Sequence, residues 1–196
     1  MRQFFIITFL FTVLLSGCGN TVKSGYQKIK SKDGKYCVTL PSEMHEIQGL
    51  NSSAAMQYGD FDRGISFMVI VEDFKEYRKV IDQNLSNFQL MECFDTTKTT
   101  DVYSLRGYEF LIMQLSKSET EDFHLDNSMI DDTVINGLDA RISEYKERIK
   151  GDKSYVILCL YKSNDKLYQV YAMSSQKKMA DNRQAMLEMV KSLEEI

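Results

Sequence analysis

Seven consecutive residues, Ile65 to Val71 (ISFMVIV), carry no charge and a single hydroxyl. A β-strand turns successive side chains to opposite faces, so a run this uniformly apolar buries both sides and belongs at the centre of a sheet covered above and below. Any fold for this chain must supply those two covers. Ala54 to Tyr58 reads as a neighbouring strand, joined through the turn Gly59-Asp60-Phe61-Asp62-Arg63-Gly64. Further upstream, Lys35 to Leu40 (KYCVTL) alternates, with Tyr36, Val38 and Leu40 on one face and Cys37 and Thr39 on the other, and stops at Pro41, the only proline.

After the apolar run the period changes. Asp73 and Glu76 have capping-box spacing, and Phe74, Tyr77, Ile81, Leu85 and Phe88 recur every three to four residues. This pattern predicts an amphipathic helix across the sheet, with Glu76, Arg78, Lys79, Asp82 and Asn84 toward water. Between Met91 and Met129 periodicity weakens. Leu105, Tyr108, Ile112 and Leu115 suit a shorter helix, flanked by polar segments, Thr96 to Asp101 and Ser116 to Asp122, that read as loops.

The C-terminal third is clearer. Asn136-Gly137 is a strong turn signal, and Ala140 to Ile149 reads as a strand whose alternation is interrupted at Ile142 and Tyr145. Ser154 to Lys162 and Lys166 to Met173 form a hairpin around Ser163-Asn164-Asp165. Tyr155, Tyr161, Tyr168 and Tyr171 lie in this hairpin, with Tyr168 and Tyr171 on opposite faces; a covering helix buries such a ring, and an uncovered one marks a cleft. Ser174 or Ser175 is placed to cap a last helix that turns Met179, Met186, Met189, Val190 and Leu193 to the sheet.

Strands followed by helices, then consecutive hairpins and a terminal helix, predict an α+β fold: an antiparallel sheet of about six strands sandwiched by helices. KYCVTLP (Lys35 to Pro41), INGLDAR (Ile135 to Arg141), KLYQVYAMSS (Lys166 to Ser175) and the helix ending KSLEEI (Lys191 to Ile196) resemble the PsbP-like superfold. That group includes photosystem PsbP, a eukaryotic Ran-GTPase release factor and many bacterial lipoproteins. The resemblance implies an α/β/α topology and an accessory or docking role rather than a particular chemistry.

The N-terminus indicates location. Arg2 precedes the apolar stretch Phe4 to Leu15, which is too short for the roughly 20 residues that span a bilayer and reads as an export signal. Leu15-Ser16-Gly17-Cys18 resembles a bacterial lipobox, which implies lipidation of Cys18. The expected organisation is a signal peptide over Met1 to Gly17, a lipidated tether over Cys18 to Gly25 and one domain over Tyr26 to Ile196. Several acyl chains hold a protein firmly where one does so only marginally. No acidic residue follows Cys18 within Gly19 to Lys23, so neither inner-membrane retention nor surface display is signalled; the expected address is the periplasmic face of the outer membrane.

The remaining residue types narrow the chemistry. A net charge of −4 opposes general nucleic-acid binding. Lys23, Lys28, Lys30, Lys32 and Lys35 cluster near the tether, where an anionic bilayer would attract them, although a solvated tether followed by an exposed edge strand explains them more simply. If Cys18 is acylated, Cys37, Cys93 and Cys159 remain, an odd number with no metal-ligand spacing and one possible bridge among them. Asp122, His124 and Asp126, with Asp131 and Asp132 behind, have the types and alternation of a manganese or zinc site, but an acidic surface loop is the simpler account.

Neither a nucleophile elbow nor a phosphate loop is present, and Cys93, His45 and His124 have no motif that joins them. Asp139, Arg141, Glu144, Lys146, Glu147 and Arg148 alternate in sign, as on the wet side of a sheet or on a partner-binding face. The sequence therefore predicts a membrane-tethered, non-enzymatic docking module with an envelope protein partner and no cofactor. The alternative is a carrier of a hydrophobic small molecule or lipid in a gap between sheet and helix, lined by some of the eleven methionines.

Overall fold

The computed structural model describes residues 23–90, 102–149 and 151–196. Strands β1 (Tyr26–Lys30), β2 (Tyr36–Pro41), β3 (His45–Glu46), β4 (Ala54–Asp60) and β5 (Ile65–Asp73) precede helices α1 (Phe74–Leu90) and α2 (Leu105–Glu119). Then come β6 (Asp122–Ile135), β7 (Leu138–Ile149), β8 (Asp152–Lys162), β9 (Lys166–Ser175), a 3₁₀ turn over Gln176–Lys178, α3 (Met179–Val190) and β10 (Glu194–Glu195). The main sheet has seven strands in the order β3-β4-β5-β9-β8-β7-β6, and a second sheet joins β1-β2-β10. Every pairing is antiparallel.

The expected α+β class and two-sided cover are both present. Phe67 and Val69 of β5 face the layer formed by α3 and β2, while Met68 and Ile70 face α1 and α2. Tyr168 and Tyr171 divide between the same two layers, and all four hairpin tyrosines are buried. Asp73 caps α1, accepting from the backbone amides of Lys75 at 2.9 Å and Glu76 at 3.3 Å. Tyr77 and Ile81 are buried as their spacing requires. Leu85 and Phe88 lie outside the described side chains.

The main sheet has seven strands where about six are expected: Lys35 to Leu40 goes to the second sheet instead, and β3 and β6 are added. Most of the difference is β6, whose start has the composition of a polar loop: at the sheet edge only one side needs a strand partner, so a strand can carry Asp122, His124 and Asp132 without burying them. Helix α2 also extends through Ser116 to Glu119, in place of the expected loop. Its Leu115 is 66 % exposed rather than buried. The buried stripe follows Leu105, Glu109 and Ile112, and Leu115 falls about a quarter turn aside.

Two corrections concern the C-terminus. Lys178, not Ser174 or Ser175, is the N-cap of α3, and Ser175 precedes the 3₁₀ turn without a side-chain cap bond. The segment Lys191 to Ile196 does not continue the helix: Glu194 and Glu195 pair with Cys37 and Tyr36. Met186, Met189, Val190 and Leu193 are nonetheless buried as expected.

Candidate functional site

Strand β7 carries the alternating charges, and the structure sends two of them, Arg141 and Glu144, into opposite interiors. Arg141 donates from Nε to Glu109 of α2 at 2.5 Å and from Nη1 to Asp132 of β6 at 2.7 Å. The Ser143 hydroxyl donates to the same Glu109. On the opposite face Glu144 accepts from Arg183 of α3 through Nε at 3.1 Å and Nη2 at 2.7 Å, and from the Tyr155 hydroxyl. Arg141, Ser143 and Glu144 are buried, so the reading of this strand as a wet surface fails for them. With helices on both faces, β7 has dry positions on both sides, and charges there require forked, hydrogen-bonded partners.

A second polar group fills the space between α2 and the sheet. Gln169 donates to Glu72 at 2.9 Å and to the Tyr108 hydroxyl at 2.6 Å, while the Tyr171 hydroxyl donates to Gln169 at 2.6 Å. Sequence reasoning missed Glu72 and Gln169, and placed Tyr108 and Tyr171 only as a helix stripe position and a hairpin ring. The available signal was Glu109 falling within the apolar stripe of α2, where a carboxylate needs an opposing cation.

Among the described residues the metal-like side chains do not assemble. Asp122 lies 3.9 Å from Arg148, and exposed His124 stands in register with Lys146. Asp132 is turned to Arg141, whereas the side chains of Asp126 and Asp131 lie outside the described set. Among the described residues no group of three metal-ligating side chains forms. Cys18 and Cys93 are outside the described residues.

Cys37 and Cys159 are free and buried. Burial raises both thiols, Cys159 to about 12, so little thiolate is available for chemistry near neutrality. A maleimide at neutral pH is expected to label neither in the native protein and both after unfolding, as mapped by peptide mass spectrometry.

Glu147 is half-buried, and desolvation raises its pKa above the ordinary 4.5. Between those two values the folded protein holds a proton that the unfolded chain has released. Stability is therefore expected to fall as pH rises through that window. Glu147→Gln should remove this part of the slope in urea melts taken at a series of pH values.

Among the described residues one end of the sheet is open. A groove of about 890 Å³ lies where β5 begins and β9 ends, lined in part by Gly64, Ser66, Lys153, Ser154, Met173 and Lys177. The N-terminal lysines are less available than their spacing suggests: Lys23, Lys28 and Lys32 pair with Glu188, Glu194 and Glu46 at 3.2, 2.6 and 2.9 Å. Their pairing weakens the basic field read from the sequence.

No family model matches the chain. No curated protein matches it in sequence. Solved structures do match in shape. Cyanobacterial PsbP (CyanoP) from Synechocystis aligns with a TM-score of 0.59 at 12% identity, over 93% of this chain and 99% of that one. LpqN of Mycobacterium tuberculosis, described as involved in cell envelope biogenesis, aligns with a TM-score of 0.50 at 10% identity, over 87% of this chain and 90% of that one. Near-complete mutual coverage, the three helices among the described residues and an antiparallel sheet with cover on both faces establish that this chain has a PsbP-like fold.

Proposed function

We propose that the protein is a bacterial envelope lipoprotein, anchored through Cys18 at the periplasmic face of the outer membrane, whose domain serves as a non-enzymatic accessory or protein-docking module. The observation that carries this reading is the withdrawal from solvent of five charged or thiol side chains among the described residues. Glu109, Arg141 and Glu144 are sealed in ion pairs, and Cys37 and Cys159 are buried with raised thiol pKa values. Such groups hold a scaffold together, and they do not reach a substrate. The lipobox supports the anchor, and the likeness to LpqN, described as acting in envelope biogenesis, agrees with an envelope role.

The carrier alternative needs an apolar gap between sheet and helix. Beneath α2 that space instead holds Tyr108, Glu109, Gln169 and Tyr171, hydrogen-bonded to one another or to the sheet. A tethered docking domain gains local concentration from its anchor, so a modest contact is enough.

The test is crosslinking in the native host followed by affinity capture, beside an unrelated lipoprotein of similar abundance and a Cys18→Ser variant. Docking predicts one reproducible envelope protein that is recovered from the authentic chain and lost with the anchor. Recovery no greater than that of the control lipoprotein would sink it, and a lipid retained by the purified domain in native mass spectrometry would favour the carrier.

A further inference from the structure

Lys23 lies five positions after Cys18, and a segment of that length reaches at most about 18 Å. The end of the domain that holds Lys23 is thus the end that an anchor at Cys18 keeps close to the bilayer. Lys23 and the Tyr26 hydroxyl both meet Glu188 of α3, at 3.2 and 2.7 Å. The carbonyl of Gly25 accepts from the amide of Ser42 at 3.0 Å, and three residues later His45 pairs with Gly59. Immediately beyond is the β4–β5 turn.

That turn is fastened to the start of α3, with Asn182 six residues before Glu188. Asn182 of α3 donates to the Arg63 carbonyl at 3.1 Å, and Lys178 donates to the Asp62 carbonyl at 2.9 Å. The Asp60 carboxylate accepts from the Arg63 amide at 2.9 Å. On this braced turn stands Phe61, 82 % exposed and the most exposed of the large hydrophobic side chains described. The groove that contains Lys153 and Lys177 is lined from Gly64 of the same turn.

We propose that this end of the fold is a second contact with the bilayer that holds the anchor. Phe61 enters the interfacial layer, and Lys153 and Lys177 face lipid phosphates, so the domain stands in one orientation on its tether. The proposal rests on acylation of Cys18. Asp62 and Asp152 lie at the same end and offset the two lysines, so insertion of the aromatic ring contributes more than net charge. The orientation should therefore depend little on salt, because apolar burial is not screened.

The chain has no tryptophan, so one introduced indole reports its own surroundings. Phe61→Trp and Val134→Trp would be prepared in the full-length lipidated protein and reconstituted into phosphatidylethanolamine and phosphatidylglycerol vesicles carrying brominated acyl chains. Val134 is 65 % exposed and lies by the Asn136-Gly137 turn, at the end of β7 that pairs with Lys162 rather than the end by Asp152 and the groove. The expected result is a blue-shifted emission from the Phe61→Trp protein, quenched roughly fivefold more than that from the Val134→Trp protein, as for a side chain about 5–10 Å into the headgroup and acyl boundary.

Equal quenching in the two variants, or none in either while the protein remains in the vesicle pellet, would overturn the second contact and leave the anchor standing. If the protein left the pellet and intact mass showed no acyl groups, the anchor reading would fall first and take this proposal with it.

Discussion

Arg141→Met is expected to destabilise the fold by about 3–5 kcal/mol, because it leaves the buried Glu109 carboxylate without its cation. Arg141 is the only described cation paired with Glu109, and the remaining partner is the Ser143 hydroxyl. The other carboxylate of the group is differently placed: the Asp132 side chain is 71 % exposed and returns to water at little cost. The effect should therefore appear in Glu109→Leu combined with Arg141→Met, where the orphaned charge is removed and most of the lost stability returns.

Urea unfolding of the two single variants and the double variant gives the cycle. The single changes should lower the midpoint at nearly constant slope, and the double variant should lie well above their sum. A loss below about 1 kcal/mol in Arg141→Met would show that Glu109 reaches solvent, since surface pairs have that value. Arg183→Met provides the comparison on the other face. Arg183 is partly exposed, and Glu144 would keep the Tyr155 hydroxyl, so a smaller loss is expected there.

The sequence exposed this fold where one residue-level signal dominated and obscured it where tertiary context decided. Ile65 to Val71 could only be an interior strand, and Asn136-Gly137 does adopt the two positive φ angles, 52° and 81°, that a tight hairpin turn demands. Strand β6 was obscured by its polar composition. It is held by the register of Asp122 to Asp126 and Asp131 to Ile135 against β7, with an irregularity between, and a pairing of that kind leaves no period in one strand alone.

The C-terminal Glu-Glu strand depends on β2, more than 150 positions upstream, and could not be found locally. Arg141 and Glu144 were misread for a related reason. Alternating charge marks a wet strand only when one face is open, and α2 and α3 close both faces here. As for the candidate site, the lipobox Cys18 was legible as a motif but lies outside the described residues, whereas the open end beside Phe61 was invisible until Gly25, Ser42 and Gly59 were brought together.

Phe67→Ala is expected to cost about 3–5 kcal/mol, whereas Phe61→Ala should stay within roughly 0.5 kcal/mol of the parent. The two rings are six positions apart in one hairpin, and their difference isolates packing from residue type. Phe67 is fully enclosed in the layer that joins β5 to α3 and β2, so truncation removes its transfer free energy and leaves a cavity that paired strands cannot readily close. For a domain of this length the loss corresponds to a fall in Tm of roughly 6–20 °C. Calorimetry of the two variants reads it directly. If Phe61→Ala proved the more costly substitution, the turn would be packed against the domain in solution, and it could not offer that ring to a membrane.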